Sequence, residues 1–106
     1  MTPKQAFMEF SNYILSPKDT GFRTEAEMFD FAIRHVTGHV RRLAALHLDQ
    51  QLAQSDEELE GMWIGSNARV APAREHARLY STMAFQRLHD PAVPDGRAVP
   101  EVEPGP

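Results

Sequence analysis

An apolar stripe at helical spacing runs from Thr24 to about Ala53 and constrains the fold more than any other feature of the chain. Phe29, Ile33, Val36, Val40, Leu43 and Leu46 or His47 fall on one face, continued by Gln50 or Gln51. A period of 3.6 residues held over about eight turns is too regular for a strand or a loop. A second face carries Glu25, Glu27, Asp30, Arg34, Arg41, Arg42 and Asp49. The segment is a packing element, and nothing catalytic is attached to it. Gly38 interrupts it beside the β-branched Thr37, and a glycine inside a helix costs about 1 kcal/mol against alanine. Two readings compete there: one continuous helix with a kink, or two helices meeting at Thr37-Gly38. The stripe keeps its phase across the glycine, which favours one helix.

Helix starts and stops frame the rest. Thr2-Pro3-Lys4-Gln5 is a capping box with proline at the first helical position. The helix it opens buries Phe7, Phe10 and Ile14, with Leu15 beside them, and Ser16-Pro17 stops it. Lys18 to Arg23 reads as a loop centred on Gly21. Thr24 caps the long segment with Glu27 closing a second box, and Ser55 with Glu58 forms a third. The third box opens a short helix through Met62-Trp63-Ile64 that Gly65-Ser66-Asn67 ends. Pro72 starts a last helix running to about His89, with Leu79, Tyr80, Met83, Ala84 and Leu88 inward and Phe85 roughly opposite. From Asp90 onward there are five prolines, two glycines and almost no large apolar residues. Such a composition predicts a flexible tail. The expected architecture is all-α: a compact four-helix domain over 1–89, its long helix open to a kink, and a disordered proline-rich tail over 90–106.

Composition limits function mainly by exclusion. At 106 residues there is room for one domain, and 42% apolar residues can furnish its core. The absence of cysteine excludes disulfides and thiolate metal sites. No run approaches the eighteen or so apolar residues that span a bilayer. The amino terminus lacks the pattern of a secretory signal, so a cytoplasmic location is expected. The net charge of −4 is uneven. Residues 1–60 hold ten acids and six bases, whereas residues 61–89 hold one acid, Glu75, and four bases. An acidic chain suits a basic protein partner better than a nucleic acid, whose binding rests on phosphate neutralisation.

The sharpest chemical motif is His35-Val36-Thr37-Gly38-His39. Histidines at i and i+4 on one helix face can chelate a divalent metal. There is no adjacent glutamate and no third ligand at a useful spacing. Two histidines flanking the Val36/Val40 stripe are the simpler account, and no metal or cofactor is expected. The serines sit at helix caps, and no phosphate loop occurs. Paired carboxylates such as Glu57 and Glu60 stand at a solvated helix start, where acid–base work lacks the shifted pKa it needs. An enzyme is therefore not expected. Arg69, Arg74 and Arg78 with Tyr80 could form a nucleic-acid face, but pairing with the acids at 56–60 is the plainer reading. Trp63, between Met62 and Ile64, reads first as core and second as an interface anchor.

The stretch Ser55 to Ala68, an acidic short helix ending in Trp63 and a small polar turn, is followed by a last helix from Pro72 to Tyr80. This pattern resembles small immunity proteins of bacterial contact-dependent growth inhibition and related polymorphic toxin systems. The resemblance covers residues 55–80 and implies a cytoplasmic protein that binds and blocks one cognate toxin, often a basic nuclease. It carries no catalytic residue over. On this reading Asp49, Asp56, Glu57, Glu58, Glu60 and Trp63 meet the partner. The acids steer a basic toxin domain and apolar anchors slow its release. Two alternatives remain: a nucleic-acid-associated regulator using the Arg69/Arg74/Arg78 face, and a module that self-associates through the long helix with Phe31 or Phe85 exposed.

Overall fold

In the computed structural model, which describes residues 1–16 and 20–96, the first capping box forms in both halves. The Gln5 amide donates to Thr2 Oγ1 at 3.1 Å, and the Thr2 amide donates to Gln5 Oε1 at 2.7 Å. Helix α1 (Pro3–Ser11) follows, then α2 (Glu25–Ile33), α3 (Gly38–Gln51), α4 (Asp56–Ile64) and α5 (Arg74–His89). Thr24, Thr37 and Ser55 cap α2, α3 and α4, each accepting from the amide three residues on. No strand occurs among the described residues, so the all-α class stands. None of these helices is long and apolar enough to cross a membrane.

Among the described residues the helix count is five rather than four, because the long segment is broken between Ile33 and Gly38. Thr37 turns extended (φ −74°, ψ 165°), and its hydroxyl takes the Val40 amide at 3.2 Å. A continuous helix would have given that amide to the Val36 carbonyl. The carbonyl instead accepts from the Gly96 amide at 3.3 Å, so the donor freed by the break is satisfied locally and the acceptor from a distant segment. The stripe keeps its phase all the same: Phe29, Ile33, Val36, Val40 and His47 are buried. Leu46, the alternative to His47, is 43% exposed.

Residues 90–96, read from composition as part of a tail, instead form a strap packed on the domain. Val93 is buried. The Arg41 guanidinium donates to the carbonyls of Leu88 (2.6 Å), Asp90 (2.6 Å), Arg87 (3.3 Å) and Val93, and to Asp95 Oδ1 at 3.1 Å. A Cβ on Gly96 would fall on the Arg34 carbonyl, and one on Gly38 would lie 2.6 Å from Asp95 Oδ2. Both glycines therefore permit close approach between the strap and the α2–α3 junction. One apolar residue and one multidentate arginine overcome the composition of this stretch. The rest of the expected tail, 97–106, lies outside the described residues, as do Pro17, Lys18 and Asp19; α1 itself ends at Ser11, short of the expected stop at Ser16-Pro17, and Ile14 is buried beyond its end. Gly21 in the expected loop has a φ of +76°, a conformation that glycine adopts without strain.

Helix α3 packs chiefly on α1, while α5 touches α2, α3 and α4. Between them lies an aromatic cluster: Trp63 meets Phe7 edge-on at 5.1 Å and Tyr80 at 4.8 Å, and Tyr80 meets Phe29 at 5.0 Å. Arg87 on α5 forks onto both oxygens of Asp30 on α2 at 2.7 and 2.8 Å. The last helix starts at Arg74 rather than Pro72, with Ala73 as an N-cap that offers no side-chain bond. Its buried residues are Ala77, Ser81, Ala84 and Leu88, with Tyr80 and Met83 packed against the core as expected, whereas Leu79, also expected inside, is 63% exposed. Small side chains let α5 lie close enough for Trp63 Nε1 to donate to Ser81 Oγ at 2.8 Å. Phe85, expected outside, is half-buried in edge-on contact with the His89 ring.

Candidate binding surface

The acids expected to meet a partner separate into distinct environments. Asp56, Glu57 and Glu58 occupy the first turn of α4, where the helix dipole favours negative charge. Asp56 accepts from Arg78 Nε at 2.8 Å, and Glu60 accepts from Arg74 Nε at 3.1 Å. Arg78 also donates to the Leu52 and Gln54 carbonyls at 2.9 and 2.6 Å, tying the α3–α4 connection to α5. Two of the three arginines of the candidate nucleic-acid face are thus neutralised by two acids of the candidate protein-binding face. Glu57 and Glu58 remain exposed and form no ion pair among the described residues. The Glu58 carboxylate accepts from the Ser55 hydroxyl.

Asp49 does not join them. It lines a shallow groove between α3 and α5 with Arg42, Leu46, Phe85 and His89, whereas Glu58 borders a groove between α1, α3 and α4. Trp63 is 1% exposed, so it is a core residue and presents no surface to a partner. Packing against Phe7 and Tyr80 and the bond to Ser81 use the whole indole.

The histidine pair is taken apart by the break. His35 ends the turn after α2, stacks on Tyr13 at 5.0 Å and donates from Nδ1 to the Phe31 carbonyl at 2.8 Å. That bond requires a proton on Nδ1. His39 is exposed in the first turn of the next helix, so the two rings no longer share a helix face. Phe31, a candidate for self-association, is half-buried between Phe22 at 5.4 Å and His35 at 4.3 Å.

One titratable group in the Glu58 groove escaped sequence reasoning. His47 is buried under Phe7, with ring centroids 5.1 Å apart, and forms no hydrogen bond among the described residues. No buried side-chain nitrogen among those residues lacks a partner, so the imidazole nitrogens open on the groove and its solvent. Burial, and secondarily the nearby Lys4 ammonium, push the His47 pKa below its ordinary value. The ring is therefore neutral at pH 7, with one nitrogen able to donate and the other to accept. The cavity encloses about 340 Å³ and is bordered by Lys4, Phe7, Met8, Gln51, Glu58, Gly61, Met62 and Gly65. The stripe identified His47 only as an alternative to Leu46. Its chemistry depends on α1 and α4, which no periodicity places.

The fold and surface define an all-α domain in which Arg41, Arg74, Arg78 and Arg87 are engaged in ion pairs within the fold. Compared with known proteins, the chain matches no family model, no curated protein and no solved structure.

Proposed function

We propose that this chain is a non-enzymatic binding domain that captures one basic protein partner in stoichiometric contact. The carrying observation is the division of charge on α4. Asp56 and Glu60 are paired with Arg78 and Arg74, while Glu57 and Glu58 stand exposed with no ion pair among the described residues. Unpaired acids on a rigid first turn steer a basic surface and penalise wrong partners. The pairing of Arg74 and Arg78 weakens the nucleic-acid reading by the same amount. Given the resemblance over residues 55–80, the partner is a toxin domain that the chain neutralises as an immunity protein. The encounter is cytoplasmic, in keeping with the cysteine-free sequence.

Affinity capture from the source cell's lysate, washed at low and at high salt, tests this. The wild-type chain retains one basic protein in equimolar amount. The double variant Glu57→Lys/Glu58→Lys loses it by at least about tenfold at low salt. Its thermal midpoint falls by no more than about 8 °C, since both positions are exposed but lie in a first turn that favours negative charge, and a cooperative melt shows that the variant is folded. Equal capture by the variant, or recovery of nucleic acid alone, overturns the proposal.

A further inference from the structure

Leu46 stands exposed on α3 while its neighbours Ala45 and His47 are buried. It borders the shallow groove between α3 and α5 together with Arg42, Ala45, Asp49, Phe85 and His89. Arg42 and Asp49 are exposed, and neither forms an ion pair among the described residues. Asp95, which lies against the start of the same helix, pairs with Arg41. Seven residues of helix set Arg42 and Asp49 about 10 Å apart along the axis, too far to satisfy each other. Asp49 also stands in the last turn of α3, where the helix dipole disfavours an acid. Its carboxylate therefore gains nothing inside this chain that offsets its position.

Leu46 lies four residues after Arg42 and three before Asp49, so the face runs cation, apolar, anion. Reversed in direction, that order is its own complement. Two antiparallel α3 helices place Arg42 of each copy opposite Asp49 of the other, with the leucines between. Two parallel helices would set arginine against arginine and aspartate against aspartate, which is repulsive. Reciprocal contact of this kind is the mark of a closed twofold interface.

We propose that two copies of this chain associate through the α3–α5 groove, with their α3 helices antiparallel. Leu46 of each copy enters the other's groove beside Ala45 and Phe85, and the small Ala45 side chain permits close approach of the axes. The patch is small, so the dimer belongs to the weak, transient class and its charge pairs weaken as salt rises. Glu57 and Glu58 do not border this groove, so the dimer is independent of the partner-capture reading.

Sedimentation equilibrium of the full chain at low salt, from about 10 µM to about 1 mM, tests this over the range of a weak interface. Wild type passes from monomer to dimer, and so does Glu57→Lys/Glu58→Lys, whatever that variant does to partner capture. Arg42→Glu alone sets acid against acid at both ends of the contact, and Asp49→Arg alone sets base against base. Each weakens association by at least about tenfold. An equimolar mixture of the two recovers it, because every pair across the contact is again opposite in sign. Leu46→Ala weakens association with the charges intact. All three positions are exposed, and cooperative melts show that the variants are folded. A wild-type chain that stays monomeric throughout overturns the proposal and leaves the groove to some other molecule. Unchanged association in both charge variants places the contact elsewhere, and a mixture that fails to recover overturns the antiparallel pairing.

Discussion

Arg41 and Arg78 both fasten a piece of irregular chain to a helix, and they do so under opposite conditions. Arg41 holds the 90–96 strap with a side chain only 11% exposed, most of its bonds going to main-chain carbonyls. Arg78 holds the α3–α4 connection with a side chain 47% exposed, and its carboxylate partner Asp56 is 55% exposed. Water and salt can replace most of what Arg78 provides. They cannot reach most of what Arg41 provides, so its carbonyl partners depend on it. The same guanidinium chemistry thus forms part of the structural frame at one end of the domain and a replaceable surface tie at the other.

Removing each arginine gives that comparison a direct test. Arg41→Ala leaves several carbonyls around the strap without a donor and should cost about 2–4 kcal/mol, read as a lower denaturant midpoint. Arg41→Lys should recover only part of it, because one ammonium cannot span five acceptors. A loss below about 1 kcal/mol would mean that Val93 alone seats the strap. Gly96→Ala should come next, at about 1–2 kcal/mol, since its Cβ would collide with the Arg34 carbonyl and sever the bond to Val36. Arg78→Ala should cost no more than about 1 kcal/mol, and raised salt should erase most of the difference from wild type. A salt-independent loss would show that its bonds to Leu52 and Gln54 matter more than its charge.

The smallest expected effect concerns His47. Its pKa in the folded chain lies below the ordinary value of 6.5, so the unfolded chain binds the proton more readily. The stabilisation is complete above about pH 6.5 and falls as pH drops from there toward the folded value. Thermal midpoints between about pH 7.5 and pH 5 should decline in wild type and decline less in His47→Gln. An identical slope would remove His47 as a source of acid sensitivity.

Much of the fold was legible where its causes are local. Thr2 with Gln5, Thr24 with Glu27, and Ser55 with Glu58 lie three residues apart, and each placed a helix start correctly. The break at Thr37 was legible only as the less favoured of two readings, because the apolar phase survives it and the carbonyl it frees is satisfied sixty residues later by Gly96. The strap was hidden for the same reason: composition describes 90–96, but Arg41 decides where it goes. On α5 the large residues drew the inner face toward Leu79, whereas close approach to Trp63 selects the small Ala77 and Ser81. For the candidate surface, the acids of α4 could be found by eye, but which are already paired depends on where Arg74 and Arg78 come to rest. His47 stood in the stripe throughout, and only the arrival of Phe7 and Met62 from other helices turns it into the base of a cavity.

The bond from Gly96 to Val36 also orders events in time. A chain emerging from its N-terminus makes both flanks of the α2–α3 junction long before it makes the strap that completes them. Until Gly96 has emerged, Val36 and Val40 are free to close the ordinary helical bond, and the apolar stripe offers no objection to one straight helix. The Thr37 cap is local and can form at once, but the Val36 carbonyl gains its Gly96 partner only when the last described residues arrive. The strap therefore adds its support to a junction whose two helices are already made.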